Sequence, residues 1–410
     1  MSKQTPSPRK TTRRPNGSGT EWKDAKGVWH VRVEEGVNPR SGKRRYVSAT
    51  GPTRTAARTK LRDKLDRMRR DGTAPLLTAP TLDVWADRWL GQMADRVKPR
   101  VLDSYRSELA TIRTHIGGLR IDRITPGDVE RLLIALATDR SAKTVHNHWI
   151  RLRQLLAAAQ REGLIQTNPA AQIDPPRTEP ARTSILDAGQ PALAIAAART
   201  PKHRKWDMIQ DDDDDHDMWA LMFDLAFETG MRQAERFAIT PDELVTRDGI
   251  HGIQIDWELQ TLKTDAHIPT WLRHRHIEGR HHLIQPKSHA GERFVPLSTS
   301  TWLRLHQLAT RRNTPHDGLI FTRHGHPLTN TVEGRRWKRA LEDAGLPYVT
   351  IRSARHFFST HLATTGAPED ARKAMMGHAK ITTTAGYTHW TPDALAALAD
   401  HARQAIGQPA

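Results

Sequence analysis

The sequence predicts a multidomain chain: a small β-sheet domain at the N-terminus, an all-α domain after it, and a mainly α, mixed α+β domain in the second half. Three observations carry this. At 410 residues the chain exceeds what one hydrophobic core organises. Apolar residues alternate with period two near residue 30, then recur with helical period from residue 82. Four prolines fall within residues 167–184 and mark a domain boundary.

The opening residues 1–24 mix Lys, Arg, Pro, Ser and Thr without periodic apolar positions and read as a disordered basic tail. Trp29, Val31 and Val33 then alternate with polar residues, and a turn over residues 38–42 leads into the basic run Lys43, Arg44, Arg45. This predicts a hairpin or three-stranded sheet, followed by a helix from Thr55 to about Arg70, in a domain spanning 25–72. The helical domain, 79–172, begins with Leu82, Trp85, Ala86, Trp89, Leu90 and Met93 on one face. A second helix carries Val101, Tyr105, Leu109, Ile112 and Ile116 inward and stops at Gly117. Thr125, Pro126 and Asp128 read as N-cap, first helical residue and capping carboxylate of the third helix. In the fourth, Val145, Trp149, Leu152 and Leu156 face inward, while Lys143, His146, His148, Arg151 and Arg153 spread over the other faces. Such a basic surface suits phosphates, and it is equally the pattern of a solvated face.

The last domain, 180–405, carries scattered polar positions on an apolar framework. An apolar helix over residues 218–229 ends at Gly230, with Arg232 and Glu235 one turn apart on the helix that follows. Leu283 and Ile284 face Phe294, Val295, Pro296 and Leu297 across a turn, which predicts a hairpin bearing Lys287. Arg352 and Arg355 are expected on one helical face, His378 lies nine residues before Tyr387, and a closing helix is expected from Thr391 to about Ala405. Glu235 reads as structural, paired with a basic neighbour. The acidic run at 211–215 reads as a solvated loop ahead of a helix rather than a cation site. His274, His276, His281 and His282, interleaved with arginines, read as a basic loop rather than a zinc site.

Bulk composition narrows the function. Lys and Arg number 63 against 46 Asp and Glu, a formal charge of +17 with a pI near 10.4, which favours a polyanionic partner. About 20 of the basic and 7 of the acidic residues lie in residues 1–80, so the N-terminal end carries most of the excess. The absence of cysteine excludes disulfide and thiolate chemistry. No apolar run suits a signal peptide or a membrane span, so a soluble cytoplasmic protein is expected.

Thr229, Gly230, Met231 and Arg232 with Glu235, Lys287 before a Val-Pro-Leu strand, Arg355 and His356, and Gly377 and His378 followed by Tyr387, Thr388 and His389 form an ordered set. Together they resemble the tyrosine recombinase (phage integrase) family, over about 25–405 and most strongly after 218. The resemblance implies an arm-binding N-terminal sheet, a SAM-like core-binding helical domain and a catalytic domain. It implies double-stranded DNA attachment sites as partners, contacted through Lys43, Arg44, Arg45, Lys143, His146 and Arg151, and integration or excision of a mobile element. A homotetramer on DNA, with an excisionase or host DNA-bending protein as accessory, follows from the same resemblance. Tyr387 would be the nucleophile of a 3′-phosphotyrosyl intermediate, Arg232 and Arg355 the phosphate clamp, Lys287 the acid for the 5′ oxygen and His378 a hydrogen-bonding group, with no metal or other cofactor.

Arg352 departs from the pattern, because the family usually has a histidine there. A guanidinium donates to phosphate but cannot accept the tyrosine proton. His356 is expected to be packed rather than catalytic. Two other classes share parts of the pattern: a catalytically impaired relative acting as a DNA-binding regulator or architectural protein, and a type IB topoisomerase-like enzyme.

Overall fold

The structure is a computed structural model of the chain, and it describes residues 19–37, 44–70, 79–179, 184–202, 213–286, 291–364 and 368–377, with 396–397, 403–404 and 406–407. Lys43, Lys287, His378, Tyr387, residues 1–18 of the expected tail and most of the closing helix expected after Thr391 lie outside the described residues, and the tail expected over 1–24 is corrected at its end, where Thr20–Lys23 is a paired strand. The chain divides into two compact units, residues 1–180 and 181–410.

In the first unit, β1 (Thr20–Lys23), β2 (Trp29–Val37) and β3 (Arg44–Gly51) form an antiparallel sheet in that order. Val31 pairs with Ala49 and Val33 with Val47, so the period-two apolar set shares one face. The helix α1 (Arg54–Arg70) covers that face, burying Ala57 and Leu61 against Val31 and Val47.

The helical set is α2 (Leu82–Ala94), α3 (Pro99–Ile116), α4 (Pro126–Ala137) and α5 (Ala142–Arg161). The Thr125 side chain accepts from the Asp128 backbone at 3.3 Å while the Asp128 carboxylate accepts from the Thr125 backbone at 2.9 Å, a reciprocal cap on α4. Two buried tryptophans find backbone acceptors: Trp85 Nε1 donates to the Leu155 carbonyl and Trp149 Nε1 to that of Ala170, each at 3.1 Å.

The basic face expected on α5 is smaller than the sequence suggests. Arg151 is buried, its Nε donating to Glu108 at 2.6 Å and its guanidinium lying 3.3 Å from the Tyr105 ring centroid. The phosphate-contacting reading is therefore corrected for Arg151, whose charge is neutralised inside its own domain. His148 is likewise buried, against the Thr144 carbonyl. Lys143 is exposed at the first turn, and His146 is half-buried with Nδ1 3.1 Å from the Pro176 carbonyl.

The second unit is built around α7 (Asp213–Thr229), packed by α6 (Gln190–Arg199), α9 (Thr299–Arg311), α10 (Asn330–Asp343) and α11 (Ser353–Thr364). Met218 to Phe227 are buried on nearly every face of α7, as expected of a helix surrounded by protein. Phe223 and Phe227 meet Trp337 at 5.0 and 5.6 Å, and Phe227 meets Phe357 edge-on at 5.3 Å. The helix begins at Asp213 rather than near Met218, so the described part of the acidic run is helical and not a solvated loop. Asp214 pairs with Arg311 and Arg312, and the buried Asp215 pairs with Arg312 at 2.9 Å.

Three strands, β4 (Leu244–Arg247), β5 (Ile250–Ile255) and β9 (Arg293–Pro296), form one sheet; β6 (Glu258–Thr261), β8 (His281–Ile284) and β7 (His274–Glu278) form another, in those orders. Two expectations change here. β8 pairs with β6 and β7 and β9 with β5, so the strands expected to pair across residue 287 do not pair with each other. The four histidines sit on paired strands, His276 opposite His282, and not in a loop. A short ribbon, β10 (Thr322–Arg323) with β11 (His326–Pro327), precedes α10, and α12 (Glu369–Met376) follows α11. No helix among the described residues is long and apolar enough to cross a membrane.

Two measurements test these packing arguments. Arg151→Met keeps the aliphatic contact but strands the Glu108 carboxylate, and should cost about 1.5–3 kcal/mol of stability with no change in the salt dependence of DNA binding. Chemical denaturation and gel shifts at two salt levels check it. Burial pushes the Glu243 carboxyl up to about 8 from an ordinary 4.5. Its proton is thus held more tightly in the folded chain, and that stability is complete below pH 4.5 and lost as pH rises through 8. Tm should fall between pH 4.5 and about 8 and level off above it, and fall less in Glu243→Gln.

Candidate catalytic site

Three arginines distant in sequence meet at the C-terminal end of α12. Arg293 Nε donates to the Met375 carbonyl at 2.7 Å, Arg355 to that of Met376 at 2.5 Å and Arg232 to that of Gly377 at 2.9 Å. The last carbonyls of a helix have no intrahelical partner and carry the negative end of its dipole, so three successive guanidinium groups satisfy them in hydrogen bonding and in charge. Gly377 closes the helix with a φ of +64°, the left-handed conformation of a helix C-terminus.

Glu235 holds this cluster together. Arg232 precedes the short helix α8 (Gln233–Arg236), and its backbone N–H donates to Glu235 Oε2 at 2.8 Å while its side chain donates to Oε1 at 2.7 Å. Arg293 reaches the same carboxylate from β9, at 3.2 and 3.0 Å. The Glu235 side chain is fully buried and that of Arg293 is 7 % exposed, whereas that of Arg232 is 38 % exposed. Arg232 is therefore the member that can reach a ligand. Burial pushes the Glu235 carboxyl up, but the charge and hydrogen bonds of Arg293, followed by those of Arg232, outweigh it and hold it below the usual range.

Arg355 is fixed from the other side. Its guanidinium donates to the Gly230 carbonyl at 2.8 Å as well as to Met376. Gly230 adopts a φ of +60°, and a Cβ there would stand 2.7 Å from the Phe358 ring, so the Thr-Gly-Met-Arg turn needs glycine both for conformation and for close approach to α11. Burial and then the neighbouring Arg232 depress Arg355 to about 10, which leaves it charged at neutral pH. Arg352 is exposed and lies just ahead of α11, its carbonyl accepting from the Arg355 backbone at 3.2 Å, and its charge adds to the depression of Arg355. His356 is exposed, correcting its expected packed role.

Of the sequence-identified catalytic candidates, the structure brings Arg232 and Arg355 together on consecutive carbonyls and places Arg352 next to Arg355 along the chain. Glu235 has the basic partners expected of it. Arg293 was missed: the strand it opens was noted for Phe294 to Leu297, and no local pattern links it to a carboxylate 58 positions earlier. At the other candidate surface, Arg44 is exposed and pairs with Glu34 at 3.2 Å, and the Arg45 backbone pairs with Gly36.

Comparison with known proteins gives the chain's relatives. The Phage integrase family signature matches residues 207–393 and the Phage integrase central domain matches residues 82–175. An Integrase of Saccharopolyspora erythraea is 24 % identical, across 93 % of this chain and 94 % of its own. A Tyrosine recombinase XerC of Alcanivorax borkumensis is 25 % identical, across 75 % of this chain and 89 % of its own. Among solved structures, the Tn1549 transposon integrase in complex with transposon right end DNA aligns with a TM-score of 0.57 at 19 % identity, over 78 % of this chain and 98 % of that one. A lambda integrase tetramer bound to a Holliday junction aligns at 0.52, also 19 % identical, over 91 % and 98 %. Two adjoining domain signatures, relatives that span nearly the whole length and the shared fold place the chain in the phage integrase family of tyrosine recombinases.

Proposed function

We propose that this protein is a site-specific DNA recombinase that integrates or excises a mobile element by cutting and rejoining DNA strands through a 3′-phosphotyrosyl intermediate at Tyr387. The observation that carries the reading is the convergence of Arg232 and Arg355 on adjacent carbonyl oxygens, an acceptor pair that a phosphate's non-bridging oxygens can replace. Phosphodiesters are among the least reactive bonds in water, and catalysis depends on neutralising the charge that builds on the phosphoryl oxygens.

In the forward step the Tyr387 oxygen bonds to phosphorus, its proton passes to solvent, and the bond from phosphorus to the 5′ oxygen breaks. Lys287 gives that oxygen its proton, leaving a 5′-hydroxyl, and His378 hydrogen-bonds the phosphoryl group. Attack by another 5′-hydroxyl reverses the sequence and frees Tyr387. Arg352 cannot serve as a base. Together with Arg232 and Arg355 it supplies the positive field that favours phenolate.

Double-stranded attachment sites are the substrate, with residues 25–72 on arm sites, 79–172 on core sites and 180–405 performing the chemistry. Four protomers assemble on two duplexes, as the lambda integrase tetramer does on its junction. Lys143 and Arg44 are exposed cations suited to phosphate contact, and Lys43, Arg45 and His146 are proposed to contact DNA as well. An excisionase or host DNA-bending protein sets direction.

A nicked duplex that lets the cleaved flank diffuse away should leave a denaturation-resistant protein–DNA adduct with the wild type and none with Tyr387→Phe; equal yields would move the nucleophile elsewhere. In single-turnover cleavage from about pH 6 to 9, Arg352→Ala should slow the reaction ~10–1000-fold with DNA affinity little changed. Arg352→His should stay active and gain a pH dependence near neutrality. An unchanged rate in the alanine variant removes Arg352 from the site.

A further inference from the structure

We propose that Arg293 is a positioning residue of this active site, whose guanidinium both locates the end of α12 and frees the charge of Arg232 for phosphate. The proposal rests on the recombinase reading above. Its first support is geometric. Arg293 donates to the Met375 carbonyl on α12, to both oxygens of Glu235 on α8 and to the Gly291 carbonyl at 3.1 Å, so one side chain ties β9 and its preceding segment to two other elements. A guanidinium has enough donors in a fixed fork to make these bonds at once. A lysine does not.

The second support is electrostatic. A buried carboxylate must be balanced, and Glu235 lies between one arginine that is 38 % exposed and another that is 7 % exposed. With Arg293 in place, the buried partner balances Glu235 and Arg232 presents its charge outward. Without it, the carboxylate faces Arg232 alone and cancels the charge that Arg232 offers to a phosphoryl oxygen. The end of α12 would also lose the guanidinium at Met375, although Arg355 and Arg232 still reach the next two carbonyls. Arg293 thus acts through Arg232 and does not touch the reacting atoms.

The test compares wild type, Arg293→Lys, Arg293→Met and the double variant Arg293→Met with Glu235→Gln. Single-turnover adduct formation on the nicked duplex, duplex affinity, thermal melting and backbone amide exchange are followed. Arg293→Met should slow adduct formation ~10–1000-fold with affinity within about threefold of wild type. The loss should be larger at high pH than at low pH, because protonating the unpaired Glu235 removes the charge that opposes Arg232. Adding Glu235→Gln should recover part of the rate at high pH and flatten that pH dependence, which restoration of packing alone would not do.

Arg293→Lys keeps the charge but not the fork. It should lie between wild type and Arg293→Met in rate, with faster amide exchange over residues 372–377, and it carries the test if the methionine variant does not fold. The proposal is overturned if Arg293→Met cleaves at the wild-type rate, if its loss follows affinity or melting temperature alone, or if the double variant recovers nothing. It is also overturned if exchange over residues 372–377 is unchanged in Arg293→Lys. Wild type that forms no adduct would instead defeat the recombinase reading, and the exchange comparison would still decide whether Arg293 ties the site together.

Discussion

The site depends on one interaction: the unpaired carbonyls at the end of α12 are taken up by guanidinium groups from three other places in the chain. A helix terminus left without partners in a part-buried setting is costly, and three cations brought together without counter-charge are costly as well. Each problem is the other's solution. The dipole end and the Glu235 carboxylate hold the arginines at close quarters, and the arginines cap the helix. The same arrangement leaves donors whose present acceptors are ones that a phosphate can displace.

The depth of each group then divides the labour. Glu235 and Arg293 are buried and serve as framework, while Arg232 reaches solvent from the same ion-pair network. A fully buried pair has little capacity to act on a ligand, and a fully exposed one has little power to hold a geometry. Arg151 illustrates the opposite assignment in the helical domain. Locked against Glu108 and stacked on Tyr105, it spends its charge on stability and leaves the surface to residues such as Lys143.

Much of the fold was legible in the residues because local physics decides it. Capping at Thr125 and Asp128, alternation at Trp29, Val31 and Val33, and the helical stripe from Leu82 to Met93 depend on spacings of a few positions. Where a neighbour distant in sequence intervened, the local reading failed. Asp214 and Asp215 of the acidic run became the ion-paired start of α7 because Arg311 and Arg312 lie opposite them. The expected pairing of β8 with β9 is replaced because each finds other partner strands, a choice made by residues distant in sequence.

By itself, the sequence determined the family pattern, the order of the three domains and the identity of Arg232, Arg355 and Tyr387 as candidates, because motif spacing and hydrophobic period are properties of the chain read along its length. It could not distinguish an arginine at the surface from one committed inside. Only the tertiary structure decided that Arg151 is framework, that His356 is exposed and that Arg293 shares Glu235 with Arg232. The physical reason is that a charge is defined by its surroundings: burial and partners set what it can do, and both come from segments that meet only when the chain is folded.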